Sequence, residues 1–231
     1  MSHHQPLTRA EIAYLVAHDF PDGSVVNLGI GMPTMVSNFL PADREILLQS
    51  ENGILGMGRP AKGDEIDPDL IDAGRVPITL LDGAAITEHT ISFAMMRGGH
   101  LDYSVLGGFQ VAANGDLANW MTNAPDAIAA IGGAMDLAIG ARHVFVMMEH
   151  VTRDGSPKLL NQCTYPLTGI GVVDRIYTDL AIIDVTPKGF EVRAMIEGLS
   201  LAELQAKTGA TLHAGSTIPK IIRDGHHKAE Y

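Results

Sequence analysis

Apolar residues fall along this chain in short runs that alternate between a helical and an extended period. Thr8-Arg9-Ala10-Glu11 is a capping box, and Ile12, Leu15, Val16 and Phe20 follow at helical spacing. The pattern predicts an amphipathic helix stopped by Pro21-Asp22-Gly23. Val25-Val26-Asn27-Leu28 then reads as a buried strand, Gly29-Ile30-Gly31-Met32 as a glycine turn, and Pro33 as the first turn of a second helix. Further strands are expected at Ile46–Leu48, Ile78–Leu81, Ser104–Leu106, Val144–Met148 and Leu180–Val185, separated by glycine turns or helical stretches. Phe190-Glu191-Val192-Arg193-Ala194-Met195 alternates as a strand with one exposed face would. Ser200-Leu201-Ala202-Glu203 is a second capping box, with a helix ending at Thr208-Gly209.

Strands alternating with helices predict an α/β fold: an open, mainly parallel sheet covered by helices on both faces. No linker composition divides the 231 residues and no fixed-period repeat is present, so residues 1–215 read as a single domain. Residues 216–231 form a polar, basic tail, with His226-His227 near its end, and poor order is expected there.

Composition narrows the function. With 46% hydrophobic and 19% charged residues the chain can bury a large core. Its 25 glycines exceed the usual share of about 7% and cluster at turns after apolar runs, where backbone packs close to a ligand or a neighbour. A net charge of -11 argues against nucleic acid, while leaving room for an anionic small molecule held by a few local groups. One cysteine, Cys163, excludes an internal disulfide and a thiolate cluster. No apolar stretch is long enough to span a membrane, and the N-terminus has no signal-peptide pattern, so a cytoplasmic protein is expected.

The sharpest chemical signal is Gln49-Ser50-Glu51-Asn52-Gly53, a lone carboxylate at the end of a buried strand, where open α/β sheets bind ligands. As a plain strand end with an Asn-Gly turn it would mean nothing; Gly56-Met57-Gly58 nearby suggests instead that side chains are kept away from it. A carboxylate so placed can attack an activated acyl group. Gly29-Ile30-Gly31 lacks the third glycine of a dinucleotide fingerprint, and a simple tight turn explains it as well. The pairs Gly107-Gly108 and Gly132-Gly133 either aim N–H groups at an oxyanion or let two elements pack closely. His89, His100, His143 and His150 show no metal-ligand spacing, and His150 reads as a satisfied structural histidine. No Gly-x-Ser-x-Gly elbow is present, and Cys163 has no partner marking it as a nucleophile.

Several of these segments occur in a familiar order. Asn27–Thr34, Gln49–Gly53, Gly115–Trp120, Gly132–Leu137, Thr168-Gly169 and Val173–Leu180 together resemble the B (beta) half of family I 3-oxoacid CoA-transferases, from about Leu7 to Leu212. The resemblance implies the open sheet of the CoA-transferase type and a ping-pong transfer in which Glu51 becomes an acyl anhydride and then a glutamyl-CoA thioester. It implies that the N–H of Gly132 or Gly133 stabilises the oxyanion. Gly29, Gly31, Asn52, Gly53 and Gly108 would line the substrate and CoA cleft. It implies no metal and no cofactor, coenzyme A thioester being a substrate, and a partner A (alpha) subunit, commonly in a heterotetramer.

Ala112–Gly115 and Asn123–Ile128 are closer to 3-oxoadipate enzymes than to acetoacetate enzymes, so succinyl-CoA is expected as donor and 3-oxoadipate as acceptor. A departure is Ile128-Ala129-Ala130-Ile131, where many members carry a lysine; Arg75 or a partner residue would then hold the CoA phosphates. The competing readings are an acetoacetate enzyme, an acyl-CoA hydrolase or sugar-phosphate isomerase on the same sheet, and a non-catalytic acyl-CoA-binding subunit.

Overall fold

The computed structural model describes residues 4–223 and 229–231. Helix α1 (Arg9–Asp19) leads into β1 (Val25–Leu28), and a 3-10 helix, Met32–Phe39, carries the chain to β2 (Leu47–Ser50), β3 (Ile54–Pro60) and β4 (Ile78–Ile86). Next come α2 (His89–Arg97), β5 (Leu101–Gly107), β6 (Gln110–Ala112), β7 (Leu117–Ala118), α3 (Ala134–Gly140) and β8 (Ala141–Met147). The remainder is β9 (Leu159–Leu160), β10 (Arg175–Tyr177), β11 (Ala181–Thr186), β12 (Gly189–Ile196), α4 (Leu201–Ala206), β13 (Leu212–Ala214), β14 (Lys220–Arg223) and β15 (Ala229–Glu230).

Both capping boxes form. The Thr8 hydroxyl accepts from the Glu11 N–H at 3.2 Å while Glu11 accepts from the Thr8 N–H at 2.7 Å, and Ser200 and Glu203 repeat the exchange at the start of α4. The segment opened by Pro33 coils more tightly than the expected α-helix. Thr34 and Ser37 hydroxyls and the Asn38 amide each donate to a carbonyl three residues back, which favours the 3-10 geometry.

The large sheet runs β15-β14-β12-β11-β10-β8-β5-β1-β2-β3-β4, with β13 beside β12. Its centre, β2-β1-β5-β8-β10, is parallel, and β3 and β4 extend it antiparallel on one side and β11 and β12 on the other. Central strands buried on both faces need continuous apolar sequence, which Val144-Phe145-Val146-Met147 supplies. From β1 the chain steps outward to β2, then returns past β1 to β5 and continues to β8. With right-handed connections this reversal puts α1 and the 3-10 helix on one face and α2 and α3 on the other. It also opens a crevice beyond the C-terminal ends of β1 and β5. A small sheet, β7-β6-β9, stands beside that crevice.

The core is one continuous cluster, in which Phe20, Tyr103, Phe145 and Tyr177 form a tilted aromatic column across β5, β8 and β10. Each fully buried ring or branched chain contributes roughly 1.5–3 kcal/mol. Among the described residues no helix is long and apolar enough to cross a membrane.

Two expectations need correction. The segment from Ser216 onward is not loose throughout: β14 pairs with β12 and β15 with β14. Ile221 and Ala229, each 2% exposed, anchor an otherwise polar stretch, and the Tyr231 hydroxyl donates to Asp19 at the end of α1 at 2.8 Å. His226-His227 lies outside the described residues. Gly56 and Gly58 lie within β3, not around the glutamate. A Cβ on Gly56 would meet Ala84 at 3.0 Å and one on Gly58 would meet the Thr79 hydroxyl at 2.4 Å, so these glycines let the irregular β3–β4 ladder close.

Candidate active site

The crevice is a cavity of about 550 Å³ across the C-terminal ends of β1, β5 and β8. Asn27, Leu28 and Gly29 reach it from β1 and its turn, Leu106, Gly107 and Gly108 from β5, and Met147 and Met148 from β8. Gly29 donates to the Val105 carbonyl at 2.8 Å, and a Cβ there would lie 3.0 Å from the same oxygen, so glycine lets the β1 turn lie against β5 without a shift of either. At Gly108 a Cβ would meet Val146 at 2.8 Å and the Met148 sulfur at 3.0 Å. Close packing therefore accounts for Gly108 even though it lines the cavity.

Glu51 enters the cavity from the end of β2. Beneath it runs a buried line of neutral hydrogen bonds. The Asn27 amide donates to the Gln49 side-chain oxygen at 2.6 Å, Gln49 donates to the Ser92 hydroxyl at 2.6 Å, and Ser92 donates to the Ser50 carbonyl at 3.3 Å. These bonds tie β1, β2 and α2 together at the residue preceding Glu51. Gly53, at φ 113°, closes the β2–β3 turn, where a Cβ would sit 2.2 Å from the Thr87 carbonyl. Asn52 turns away and donates to the Ile71 carbonyl at 2.8 Å.

The wall facing Glu51 is Gly132-Gly133. A Cβ on Gly133 would lie 2.2 Å from Glu51 Oε2 and 3.2 Å from the Phe93 ring, so the carboxylate rests against the Gly133 backbone. Gly132 holds φ at 48°, which turns the chain into α3. Among the described residues neither glycine's N–H has a hydrogen-bond partner, leaving two free donors in the cavity lining. Burial raises the Glu51 pKa above the usual carboxylate value; the charge of nearby His89 lowers it in part, and Asp136 adds to the rise.

The opposite wall is charged. Arg9, at the start of α1, pairs with Glu149 at 2.7 Å, and Lys158 stands between β6 and the end of β8. The Lys158 carbonyl accepts from the Val111 N–H at 3.0 Å and its N–H donates to the His150 carbonyl at 3.4 Å, which fixes where its side chain starts. Asn119 completes the floor, donating to the Gly107 carbonyl at 3.0 Å and accepting from Thr168 at 2.6 Å.

The crevice thus holds a carboxylate against the backbone of Gly133 at an α/β switch point. A family model described as Coenzyme A transferase matches residues 9–207. The chain belongs to the coenzyme A transferase family. It is 59% identical over 212 residues to the B subunit of the 3-oxoadipate CoA-transferase of Acinetobacter baylyi, covering 92% of this chain and 97% of that one. It is 45% identical over 202 residues to the B subunit of the succinyl-CoA:3-ketoacid coenzyme A transferase of Helicobacter pylori, covering 87% of this chain and 97% of that one. Among solved structures, the acyl-CoA transferase YdiF of Escherichia coli O157:H7 aligns with a TM-score of 0.75 at 19% identity. That alignment covers 96% of this chain but 45% of YdiF, and it speaks for the fold alone.

In this CoA-transferase chain the structure brings together Glu51, Gly132, Gly133, Gly29 and Gly108 of the residues expected at the site. Gly31, Asn52 and Gly53 lie outside the cavity lining. Gly31, at φ 97°, turns the backbone into the 3-10 helix, and a Cβ there would meet open space. Arg75, considered for the CoA phosphates, does not line the cavity either. Arg9, Asn119, Glu149 and Lys158 were not singled out as site residues by sequence. They come from separated segments, and only Asn119 lies in one of the recognisable motifs.

His150 is fully buried between the Thr178 and Thr208 hydroxyls at 3.0 and 2.8 Å, and burial lowers its pKa to about 4, as suits a structural histidine. Burial drives the Cys163 thiol up to about 11, so it is not a poised nucleophile.

Proposed function

We propose that this chain is the B half of a cytoplasmic CoA-transferase that moves CoA from succinyl-CoA to 3-oxoadipate, with Glu51 as the covalent nucleophile and no cofactor. The observation that carries this reading is the contact of the Glu51 carboxylate with the Gly133 backbone beside two unpaired N–H groups. A Glu51 oxygen attacks the thioester carbonyl of succinyl-CoA, the C–S bond breaks, and CoA thiolate leaves a mixed anhydride. The thiolate then attacks the glutamyl carbonyl, succinate departs, and a glutamyl-CoA thioester remains. The acceptor carboxylate attacks that thioester, releasing the thiolate, which attacks the acceptor acyl carbon to give 3-oxoadipyl-CoA and free Glu51. No net proton is exchanged, so the site needs no general base. It needs donors for each oxyanion, a role this reading gives to the N–H groups of Gly132 and Gly133, which line the cavity with no hydrogen-bond partner among the described residues.

The 59% identity to a 3-oxoadipate enzyme, against 45% to a 3-ketoacid enzyme, supports the acceptor. The same relatives are named as B subunits, which supports a partner A subunit, and the assembly proposed with it is a heterotetramer. Exposed Ile30, Ile86, Ile91, Ile128 and Ile139, on elements around the cavity, offer that partner an apolar surface.

The test is peptide mass spectrometry of the complex with its partner after incubation with succinyl-CoA and borohydride reduction. A mass change confined to the Glu51 peptide is expected. An unmodified Glu51 in an assembled complex would sink the mechanism. Release of 3-oxoadipyl-CoA, and little acetoacetyl-CoA, checks the acceptor.

A further inference from the structure

The charged wall of the cavity holds a cation that the transfer chemistry leaves unused. Lys158 lines the cavity, half buried, and among the described residues its ammonium makes no hydrogen bond and no ion pair. Two carboxylates are near enough to act on it electrostatically, Glu149 and Asp179, but both are engaged elsewhere. Glu149 is drawn to Arg9, whose Nη2 and Nε donate at 2.7 and 3.2 Å, and Asp179 accepts from the His150 N–H at 2.7 Å. A partly desolvated ammonium without a direct partner is costly, and an anion arriving from the cavity would complete it.

Its position says which anion. Glu51 rises from the end of β2, and Lys158 is held beside the residues that follow β8, with β1 and β5 between. Three strand spacings of about 4.8 Å separate the two sides, roughly 14 Å between backbones. Glu51 and Lys158 line the same cavity of about 550 Å³, together with Leu106, Gly107 and Met148, and that volume accommodates a short diacid. A carboxylate at one end of such a substrate reacts at Glu51, and the one at the far end arrives at Lys158.

We propose that Lys158 receives the distal carboxylate of dicarboxylic substrates and so sets the preference for diacids over monoacids of the same length. The inference rests on the transferase reading above and deepens it.

The test uses the assembled complex with Lys158→Met and, as the conservative variant, Lys158→Arg. Paired substrates differ only in the far group: succinyl-CoA against butyryl-CoA as donors, and 3-oxoadipate against 3-oxohexanoate as acceptors. Lys158→Met should lower kcat/KM for the dicarboxylic members roughly 10- to 100-fold, chiefly through KM, the size of a lost charge-assisted hydrogen bond. The monocarboxylic members should stay within about 3-fold, and Lys158→Arg should restore part of the dicarboxylic activity. An equal fall on both members of a pair would mark a structural role and overturn the proposal, as would an unchanged preference. Binding of 3-oxoadipate and 3-oxohexanoate to a Glu51→Gln complex, by calorimetry, separates this inference from the transferase reading. If diacid binding is lost with Lys158 while the wild type forms no thioester, the mechanism falls and the carboxylate site stands. If the thioester forms and diacid binding ignores Lys158, the reverse holds.

Discussion

On one side of the cavity Glu51 stands over a buried line of neutral hydrogen bonds, Asn27 to Gln49 to Ser92, and on the other Lys158 stands among Glu149, Asp179 and Arg9. The neutral side holds the residue before Glu51 without fixing the glutamate's charge, so burial raises the Glu51 pKa, His89 offsets only part of the rise, and among the described residues no cation pairs with it directly. A nucleophile that must be acylated and released in turn gains from that, because a tight salt bridge would have to break at each acylation. The charged side can hold an ion through the whole cycle. On the roles proposed above, recognition and reaction stand three strand spacings apart.

The comparison breaks first at Glu51. Glu51→Gln keeps the shape and removes the nucleophile, and transfer by the complex should fall by roughly 10⁴-fold or more while acyl-CoA still binds, as measured by single-turnover thioester formation and calorimetry. The same variant has a stability signature. A carboxyl whose folded pKa is raised costs stability when ionised, so Gln should raise the Tm at neutral pH. The gain should vanish as pH falls below both the folded and unfolded pKa values, where the acid is protonated in either state. A Tm gain that persists at low pH would place its origin outside the ionisation.

Gly133→Ala should cost less, roughly 10²-fold in the rate of thioester formation. Its φ of -84° suits alanine, so the loss would come from displacing Glu51 Oε2, which the new methyl would meet at 2.2 Å. Gly132→Ala is the control: φ is 48° with open space for the methyl, so backbone strain of about 1–2 kcal/mol should appear in the Tm with little change in rate. Equal rate losses in the two variants would remove the distinction between crowding and strain.

The two sides were unequally legible in the sequence. Glu51 could be read because its whole context is local: an apolar strand, a single acid and a turn. Gly132-Gly133 could be read as a pair, but a glycine looks the same whether backbone meets a carboxylate or a neighbouring strand. That ambiguity placed Gly56 and Gly58 beside the glutamate when they serve the β3–β4 ladder. Arg9 and Glu149 meet across 140 residues of chain, and Lys158 joins them from yet another segment, so no window of sequence holds the charged wall. Strand runs and capping boxes were visible for the same reason Glu51 was, and β14 was missed because Ile221 is the one buried residue in the four-residue strand Lys220–Arg223.

Behind the charged wall lies a second titration. His150 is fully buried with its pKa lowered to about 4, against an ordinary 6.5 in the unfolded chain. A depressed folded pKa means stability that is present above pH 6.5 and lost as pH falls toward 4, because the unfolded state takes up a proton that the folded state refuses. The full loss is roughly 3 kcal/mol. Denaturant unfolding between those pH values should show it, and His150→Gln should flatten the slope while lowering stability at pH 7. A slope unchanged by the substitution would assign it to the carboxylates instead.

The smallest effect belongs to the neutral side. Ser92→Ala removes the hydroxyl that accepts from Gln49 at 2.6 Å and donates to the Ser50 carbonyl at 3.3 Å, leaving a buried amide N–H without its partner. The expected cost is about 1–3 kcal/mol in unfolding free energy. Because Gln49 still accepts from Asn27, β1 and β2 stay in register and Glu51 shifts little, so thioester formation should slow by no more than roughly 10-fold. Adding Gln49→Leu removes the orphaned amide but also the oxygen that accepts from Asn27, leaving the Asn27 amide only its bond to the residue-49 carbonyl at 3.0 Å, so neither stability nor rate should recover. Recovery of both would mean that packing alone, and not the hydrogen-bonded line, holds the nucleophile in place.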